Sequence, residues 1–222
     1  MKNNAELQTD VQNAIKWEPL LHAAEIGVTA KDGVVSLTGI VDSYGKKIEA
    51  KNAAKKVIGV KALVENIEVK FPSDFTKSDI EVANEVLTAL RSNMSVPDDK
   101  VHVKVEKGWV TLEGELAWDF QREAAKNAVH FLTGVRGVSN KIKIKSETRD
   151  TIEKKDIEYA IGRSSIDDSN IKVNVSGNTV TLSGTVGSWY DKEEAGRIAW
   201  KTPGIWHVKN DLSVDYYYVF AG

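Results

Sequence analysis

The chain has 222 residues, of which 41% are hydrophobic and 28% are charged, a composition typical of folded globular proteins. Its 30 basic and 32 acidic side chains give a formal net charge of -2, so the chain as a whole lacks the basic footprint of a nucleic-acid-binding protein. It contains no cysteine, which excludes disulfides, thiolate nucleophiles and cysteine-ligated metals.

The first ten residues are polar and contain no apolar stretch of signal-peptide length. We therefore expect the chain as written to be cytoplasmic, or periplasmic if a signal peptide has been removed. No segment approaches the roughly 18 to 20 apolar residues that cross a bilayer, so we expect no transmembrane segment and only peripheral membrane contact.

One sequence pattern occurs three times at constant spacing. A Leu-x-Gly motif is followed, twenty residues after its glycine, by a second glycine. The motif glycines are Gly39, Gly114 and Gly184, and the second glycines are Gly59, Gly134 and Gly204. Without a gap, the copies align over residues 26–69, 101–144 and 171–214. Such self-similarity indicates three copies of one structural module.

Each copy is predicted to begin with a short amphipathic helix. Its apolar positions are Leu7, Val11 and Ile15 in copy one, Ile80, Ala83, Leu87 and Leu90 in copy two, and Ile157, Ala160 and Ile161 in copy three. Ser78 and Glu81 have the spacing of a capping box, which favours a helix start at this point.

A β-hairpin is predicted next, because apolar and polar residues alternate on both sides of a tight-turn pair. The apolar positions are Ile26, Val28, Val35 and Leu37, then Val101, Val103, Val105, Val110 and Leu112, then Ile171, Val173, Val175, Val180 and Leu182. The turn pairs are Asp32-Gly33, Lys107-Gly108 and Gly177-Asn178.

A second helix with a narrow face of small residues follows, and a last strand ends each copy. The helix positions are Ala50, Ala53, Ala54 and Val57, then Ala125, Ala128, Val129 and Leu132, then Ala195, Ile198, Ala199 and Thr202. The strand positions are Ile67 and Val69, Ile142 and Ile144, and Leu212 and Val214.

The predicted fold class is therefore α+β, with three tandem αββαβ modules. Each is expected to form a mixed three-stranded sheet with two helices packed on one face, because a strand-helix-strand crossover pairs its strands in parallel. We place the modules at residues 1–72, 77–146 and 152–216, with linkers at residues 70–77 and 146–153.

These residues resemble the BON family of bacterial OsmY and nodulation proteins. The resemblance rests on the Gly33 to Gly39 type of hairpin, the alanine-rich helix, the Thr-Gly-Val or Pro-Gly-Ile turn, and a following Asn-x-Ile or Asn-x-Leu at Asn140 and Asn210. Copy one has Glu65 where the asparagine is expected, and in copy three Gly196 is expected to interrupt the second helix.

The resemblance implies a non-enzymatic domain of bacterial envelope, osmotic-stress and transport-associated proteins, for which binding to phospholipid surfaces has been proposed. We expect a binding protein that associates peripherally with anionic phospholipid or with an envelope protein, in connection with osmotic stress. The alternative is a cytoplasmic sensor or binding protein for a small ligand or a cation such as potassium, because one type of family member binds potassium.

We expect no catalytic residue, no cofactor site and no metal site. The four histidines occupy different places in the repeat and form no metal-binding spacing; they are His22, His102, His130 and His207. His102 is predicted to face solvent because it alternates with Val101 and Val103. Phosphate-binding glycine loops and nucleophile elbows are missing from the sequence.

Aromatic residues stand at the predicted start of every second helix. They are Tyr44, Trp118 with Phe120, and Trp189 with Tyr190, beside the possible N-caps Ser43, Asp119 and Ser188. One interpretation is a hydrophobic staple against the helix. The other is a solvent-facing ring that enters a lipid headgroup layer or packs against a neighbouring module.

The second helix of copy one has a row of lysines at Lys47, Lys51 and Lys55. A solvated helix face explains most such rows. Against anionic lipid, each lysine would contribute about 1 kcal/mol. Residues 1–72 have ten basic and nine acidic side chains, whereas residues 150–222 have eight and eleven, so copy one is the better candidate for an anionic surface. The lysines and the aromatic residues are the candidate contacts to lipid or to a protein.

Overall fold

The computed structural model describes residues 2–72, 77–145 and 154–215. The predicted linker at residues 146–153 lies outside the described residues, and so do residues 73–76 of the other linker. The chain forms two compact units: residues 1–39 and 48–67 belong with the third copy, and residues 40–47 belong with the second.

The order of elements is αββαβ in every copy, as predicted. Copy one contains α1 (Asn4–Lys16), β1 (Ile26–Lys31), β2 (Val34–Val41), α2 (Tyr44–Lys55) and β3 (Ala62–Val69). Copy two contains α3 (Asp79–Ser92), β4 (Val101–Glu106), β5 (Trp109–Leu116), α4 (Asp119–Val129) and a last strand in two pieces, β6 (Gly137–Asn140) and β7 (Lys143–Ile144). Copy three contains α5 (Lys154–Gly162), β8 (Ile171–Ser176), β9 (Thr179–Val186), α6 (Trp189–Trp200) and β10 (His207–Val214).

The second strand of each copy is the central strand of its sheet. It pairs with the first strand in the antiparallel hairpin, for example with Val28 opposite Leu37. On its other side it pairs with the last strand, which runs parallel to it in copies two and three. The mixed three-stranded sheet is confirmed.

A small apolar core lies between each sheet and its helices. In copy three, both helices contribute to this core, through Ile157 and Ile161 of α5 and through Ala195 and Ala199 of α6. The central strand contributes residues without measurable exposure: Val35 and Leu37, Val110 and Leu112, and Val180 and Leu182. Burial of these aliphatic side chains is the main source of stability, at roughly 1.5 to 3 kcal/mol for each large one.

The predicted inner face of α3 was wrong except at Leu90, which is buried. Ile80 and Leu87 are exposed and Ala83 is only half-buried. The buried residues of α3 are Val82, Val86 and Leu90. This helix has two overlapping apolar faces, and packing on the sheet selects one of them. Its three buried residues stand at the positions of the repeat that are buried in α1, where Leu7, Val11 and Ile15 lie seventy-five residues earlier in the sequence.

The capping box at the start of α3 is confirmed. The Glu81 amide donates to the Ser78 hydroxyl oxygen at 3.3 Å, and the Ser78 amide donates to the Glu81 carboxylate at 2.8 Å. The hydrogen bonds from Ser78 to the carboxylate hold the pKa of Glu81 below its usual value. They therefore fix where the helix begins.

The motif glycine permits a close backbone contact that no other residue allows. Its φ is +142° at Gly39, +140° at Gly114 and +113° at Gly184. A Cβ at these positions would lie 2.0 Å from the Glu25 carbonyl oxygen, 2.1 Å from that of Lys100 and 1.9 Å from that of Asn170. The constant glycine of the repeat thus follows from sterics.

The asparagine of the last strand joins that strand to the second helix. Its side-chain amide donates to a helix carbonyl, from Asn140 to Arg122 at 2.9 Å and from Asn210 to Lys192 at 2.6 Å. Its amide oxygen accepts from the backbone amide two residues later, for example from Ile142 at 3.2 Å. One side chain therefore pairs with a backbone carbonyl of the helix and with a backbone amide two residues further along the chain.

The expected interruption of the helix at Gly196 was wrong, because α6 is continuous from Trp189 to Trp200. Gly196 is buried, and a Cβ on it would lie 2.8 Å from the Asn210 side-chain nitrogen. In the repeat alignment its position is occupied by Lys51 and Lys126. The glycine allows the last strand of copy three to approach its helix closely.

Replacing the asparagine donor should destabilise copy two. Asn140→Asp puts an acceptor where the Nδ2 group donates to the Arg122 carbonyl, so we expect a loss of about 1 to 3 kcal/mol in the free energy of unfolding. Urea denaturation of the full chain measures this change. Asn84→Asp, at an exposed position of α3, is the matched control, and an equal loss in both variants would contradict this role of Asn140.

Candidate functional site

The second helices of copies one and three begin at the predicted caps. The Lys46 amide donates to the Ser43 hydroxyl oxygen at 3.4 Å, and the Asp191 amide donates to that of Ser188 at 3.0 Å. These contacts place the aromatic residue that follows each serine at the first position of the helix. The helix orientation at this end is therefore set locally by the sequence.

The predicted cap of copy two was wrong, because Trp118 is the N-cap and Asp119 is the first residue of α4. Trp118 occupies the repeat position of the two capping serines. Its backbone amide donates to the side-chain oxygen of Gln121, the third residue of the helix, at 3.1 Å. In a capping box, this hydrogen bond is the one that the helix side chain makes back to the N-cap backbone. Asp119 is consequently directed into the protein and is buried.

Burial raises the pKa of Asp119, and the positive charge of Arg122 opposes this rise. The Asp119 Oδ1 atom contacts the Arg122 guanidinium, but among the described residues nothing donates an aligned hydrogen bond to it. The raised pKa has a structural origin, since burial and, to a smaller extent, the negative charge of Glu123 raise it, while Arg122 and Lys126 act against them.

The candidate aromatic residues divide into two groups. Tyr44, Trp118 and Trp189 are half-buried. Phe120 is 55% exposed and Tyr190 is 41% exposed. Only the second group presents a largely free apolar surface at a helix start.

The three lysines of the α2 row also differ in exposure. Lys47 and Lys51 are half-buried, whereas Lys55 is only 8% exposed. The Lys55 ammonium forms an ion pair with the Glu193 carboxylate and lies 5.3 Å from the centre of the Trp189 ring. Two of the candidate contacts, Lys55 and Trp189, thus bind each other and join copy one to copy three within one compact unit.

A second contact between copies lies at the start of α2. The Phe131 ring covers Gly45, where a Cβ would lie 2.1 Å from the ring carbon Cδ1. In the repeat alignment Gly45 corresponds to Phe120 and Tyr190. The glycine therefore makes room for an aromatic ring of copy two, which the sequence pattern of copy one did not indicate.

Other kinds of site have no support in the described part of the chain. No group of three or more histidine, aspartate or glutamate side chains is placed there to hold a metal ion. Across the same residues, no helix is both long and apolar enough to cross a membrane. His102 is exposed, as predicted.

Three stretches, residues 3–70, 78–146 and 149–216, match the BON domain family. This chain belongs to the BON domain family. A curated BON relative is the osmotically-inducible protein Y of Escherichia coli strain K12, which is 29% identical over 147 residues, 64% of this chain and 73% of that protein. BON domains are generally non-catalytic.

Solved structures give weaker likenesses to this BON chain. They describe CdsD, a structural protein of the type III secretion system of Chlamydia trachomatis. Its C-terminal domain has 18% identity and a TM-score of 0.25, with 96% of this chain and all of that one covered. A second CdsD structure has 17% identity and a TM-score of 0.25, with 93% and 91% covered. These TM-scores support no argument about function.

The ion pair between copies one and three should be measurable by a double-mutant cycle. We expect Lys55→Met and Glu193→Gln to be coupled by about 0.5 to 1 kcal/mol, because Lys55 is buried while half of Glu193 is in water. The exposed pair Lys209 and Asp211, 2.7 Å apart, is the control and should show weaker coupling. Urea unfolding measures both cycles, and equal coupling would contradict the contact.

The raised pKa of Asp119 predicts a pH dependence. Between the ordinary pKa of about 3.9 and the raised folded value, the folded state binds the proton more tightly than the unfolded chain, so stability falls as pH rises through this window. The stability of the wild type relative to Asp119→Asn should therefore increase as pH is lowered from neutral. Asp99→Asn controls for the loss of one exposed charge, and a relative stability that decreases on acidification would refute the assignment.

Proposed function

We propose that this chain is a non-enzymatic binding protein that associates peripherally with anionic phospholipid or with an envelope protein, in connection with osmotic stress. The observation that supports this most directly is the exposure of Phe120 and Tyr190. Each presents an aromatic ring to solvent at the first turn of a helix, where amphipathic rings suit the boundary between water and lipid.

Fewer charged contacts are proposed than the sequence indicated. Lys55 is occupied by Glu193 and Trp189, so it is not available unless that contact opens. Lys47 and Lys51 keep the role of cationic contacts in this proposal, and Phe120, Tyr190 and the half-buried Trp118 keep that of apolar contacts. Both lysines are half-buried, and each would contribute about 1 kcal/mol where its ammonium reaches an anionic surface.

The connection with osmotic stress rests on the name of the Escherichia coli relative, an osmotically-inducible protein. Membership of the BON family is compatible with a membrane-associated role. The cytoplasmic location expected from the sequence stays a prediction.

The second candidate, a sensor or binding protein for a small ligand or a cation, is tested by a thermal-shift screen. No cluster of acidic or histidine side chains in the described residues favours it. A rise in melting temperature with potassium but not with sodium would support it, because a ligand that binds only the folded state stabilises that state.

Co-sedimentation with vesicles tests the proposed function. We expect the full chain to bind vesicles containing phosphatidylglycerol, to bind less at high salt, and to be retained poorly by phosphatidylcholine alone, because salt screens exposed charges beyond about 8 Å. Phe120→Ala with Tyr190→Ala, and separately Lys51→Glu, should weaken retention. Lys172→Glu, on the first strand of copy three, is the matched charge control for Lys51→Glu.

Absence of binding to every vesicle, with the chain folded by circular dichroism, would refute lipid association. Equal effects of Lys51→Glu and Lys172→Glu would show that net charge, rather than the α2 surface, controls retention.

A further inference from the structure

The turn that follows α1 exposes two large apolar side chains. Trp17 is 84% exposed and Leu20 is 53% exposed. The turn is well defined, because the Trp17 amide donates to the Asn13 carbonyl oxygen at 3.1 Å and the Leu21 amide donates to that of Glu18 at 3.0 Å. Leu21 is buried in the core and anchors the turn. The hydrogen-bonded backbone thus holds Trp17 and Leu20 at defined positions on the surface.

The fold does not require an indole at this point. Two residues after the last buried residue of the first helix, copy two has Ser92 and copy three has Arg163. Both copies form the same fold with a polar residue there. The exposed tryptophan of copy one therefore has no role in packing that the other copies reproduce.

Two lysines adjoin this turn. Lys16 precedes Trp17 and is exposed. Lys56, at the end of α2, is exposed and its Nζ lies 3.4 Å from the Glu18 carboxylate. A shallow groove of about 310 Å³ lies beside the turn. Polar and apolar residues line the groove: Gln12, Asn13, Ile15, Lys16, Ala23, Ala24, Ile26 and Val28.

We propose that this turn, residues 17–21 with Lys16 and Lys56, is where the chain enters the surface of an anionic phospholipid bilayer. The Trp17 ring and the Leu20 side chain enter the interfacial layer, where an indole buries its ring and keeps its N–H hydrogen-bonded. The Lys16 ammonium faces the headgroup phosphates and strengthens binding by about fivefold, and the Lys56 ammonium adds to this only where it leaves the Glu18 carboxylate. This inference rests on the proposed association with lipid.

A bilayer fits this surface better than a protein partner does. Standard protein interfaces bury about 800 Å² on each partner and are centred on a packed apolar patch. Two apolar side chains on one protruding turn, flanked by cations, are too few for such a patch. They match the combination of an interfacial aromatic residue and basic residues that holds peripheral proteins at membranes.

Variants of the full chain test the inference on vesicles of phosphatidylcholine with and without phosphatidylglycerol. Trp17→Ser with Leu20→Ser should lower the partition coefficient at least about tenfold, because burial of the two side chains is lost. The melting temperature should change little, since Trp17 is almost wholly exposed and about half of Leu20 is already in water. Met94→Ser, in the corresponding connection of copy two, is the control for an exposed apolar residue and should bind as the wild type does.

Fluorescence gives a second measurement that does not depend on affinity. Brominated lipid should quench part of the tryptophan emission of the wild type, and Trp17→Phe should remove that part while retaining binding. Free glycerol phosphate should neither compete nor quench, which distinguishes a bilayer from a soluble phosphate.

The outcomes separate the two proposals. If the wild type binds no vesicle, this inference and the lipid association of the proposed function both fail. If the wild type binds, and the Trp17 and Leu20 variant binds equally while the Phe120 and Tyr190 variant does not, the turn is excluded and lipid association stands. Self-association that depends on Trp17, without vesicle binding, would assign the turn to a protein interface and overturn the inference.

Discussion

Every copy depends on one steric constraint, the backbone contact at its motif glycine. The residue before the first strand places its carbonyl oxygen too close for a side chain at this glycine. A Cβ on Gly39, Gly114 or Gly184 would clash with it. This contact fixes the register of the hairpin, and a slip by one residue would turn Val35 and Leu37 away from the helices. The core of each small module is therefore specified by a position that contributes no side chain to it.

The elements of the fold were predictable because they depend on local patterns. Hairpin turns, alternation and small-residue helices follow from contacts between neighbours in sequence. The face of α3 was not predictable from periodicity alone, since Ile80 and Leu87 define one apolar face and Val82 and Val86 define another. Extending the repeat alignment upstream would have selected the correct face, because the sheet below it is the same in every copy.

The candidate site was predictable only in part. Periodicity correctly placed Lys51 and Lys55 on one α2 face, but Lys55 is buried by Glu193, which is 138 residues away in the sequence. Gly45 similarly has its explanation in Phe131. Contacts between copies leave no local signal, because a lysine or a glycine on a helix has the same pattern whether solvent or a ring covers it.

A repeated chain provides its own reference for separating structure from function. Packing restricts the core, and the central strand accordingly has valine at positions 35, 110 and 180. It does not restrict solvated positions, so a tryptophan, a serine and an arginine stand two residues after the last buried residue of the first helix without altering the fold. An apolar residue at such a position adds nothing to the core and exposes hydrocarbon to water. Exposed residues that differ between copies, rather than those they share, are therefore where the function of an individual module is to be sought.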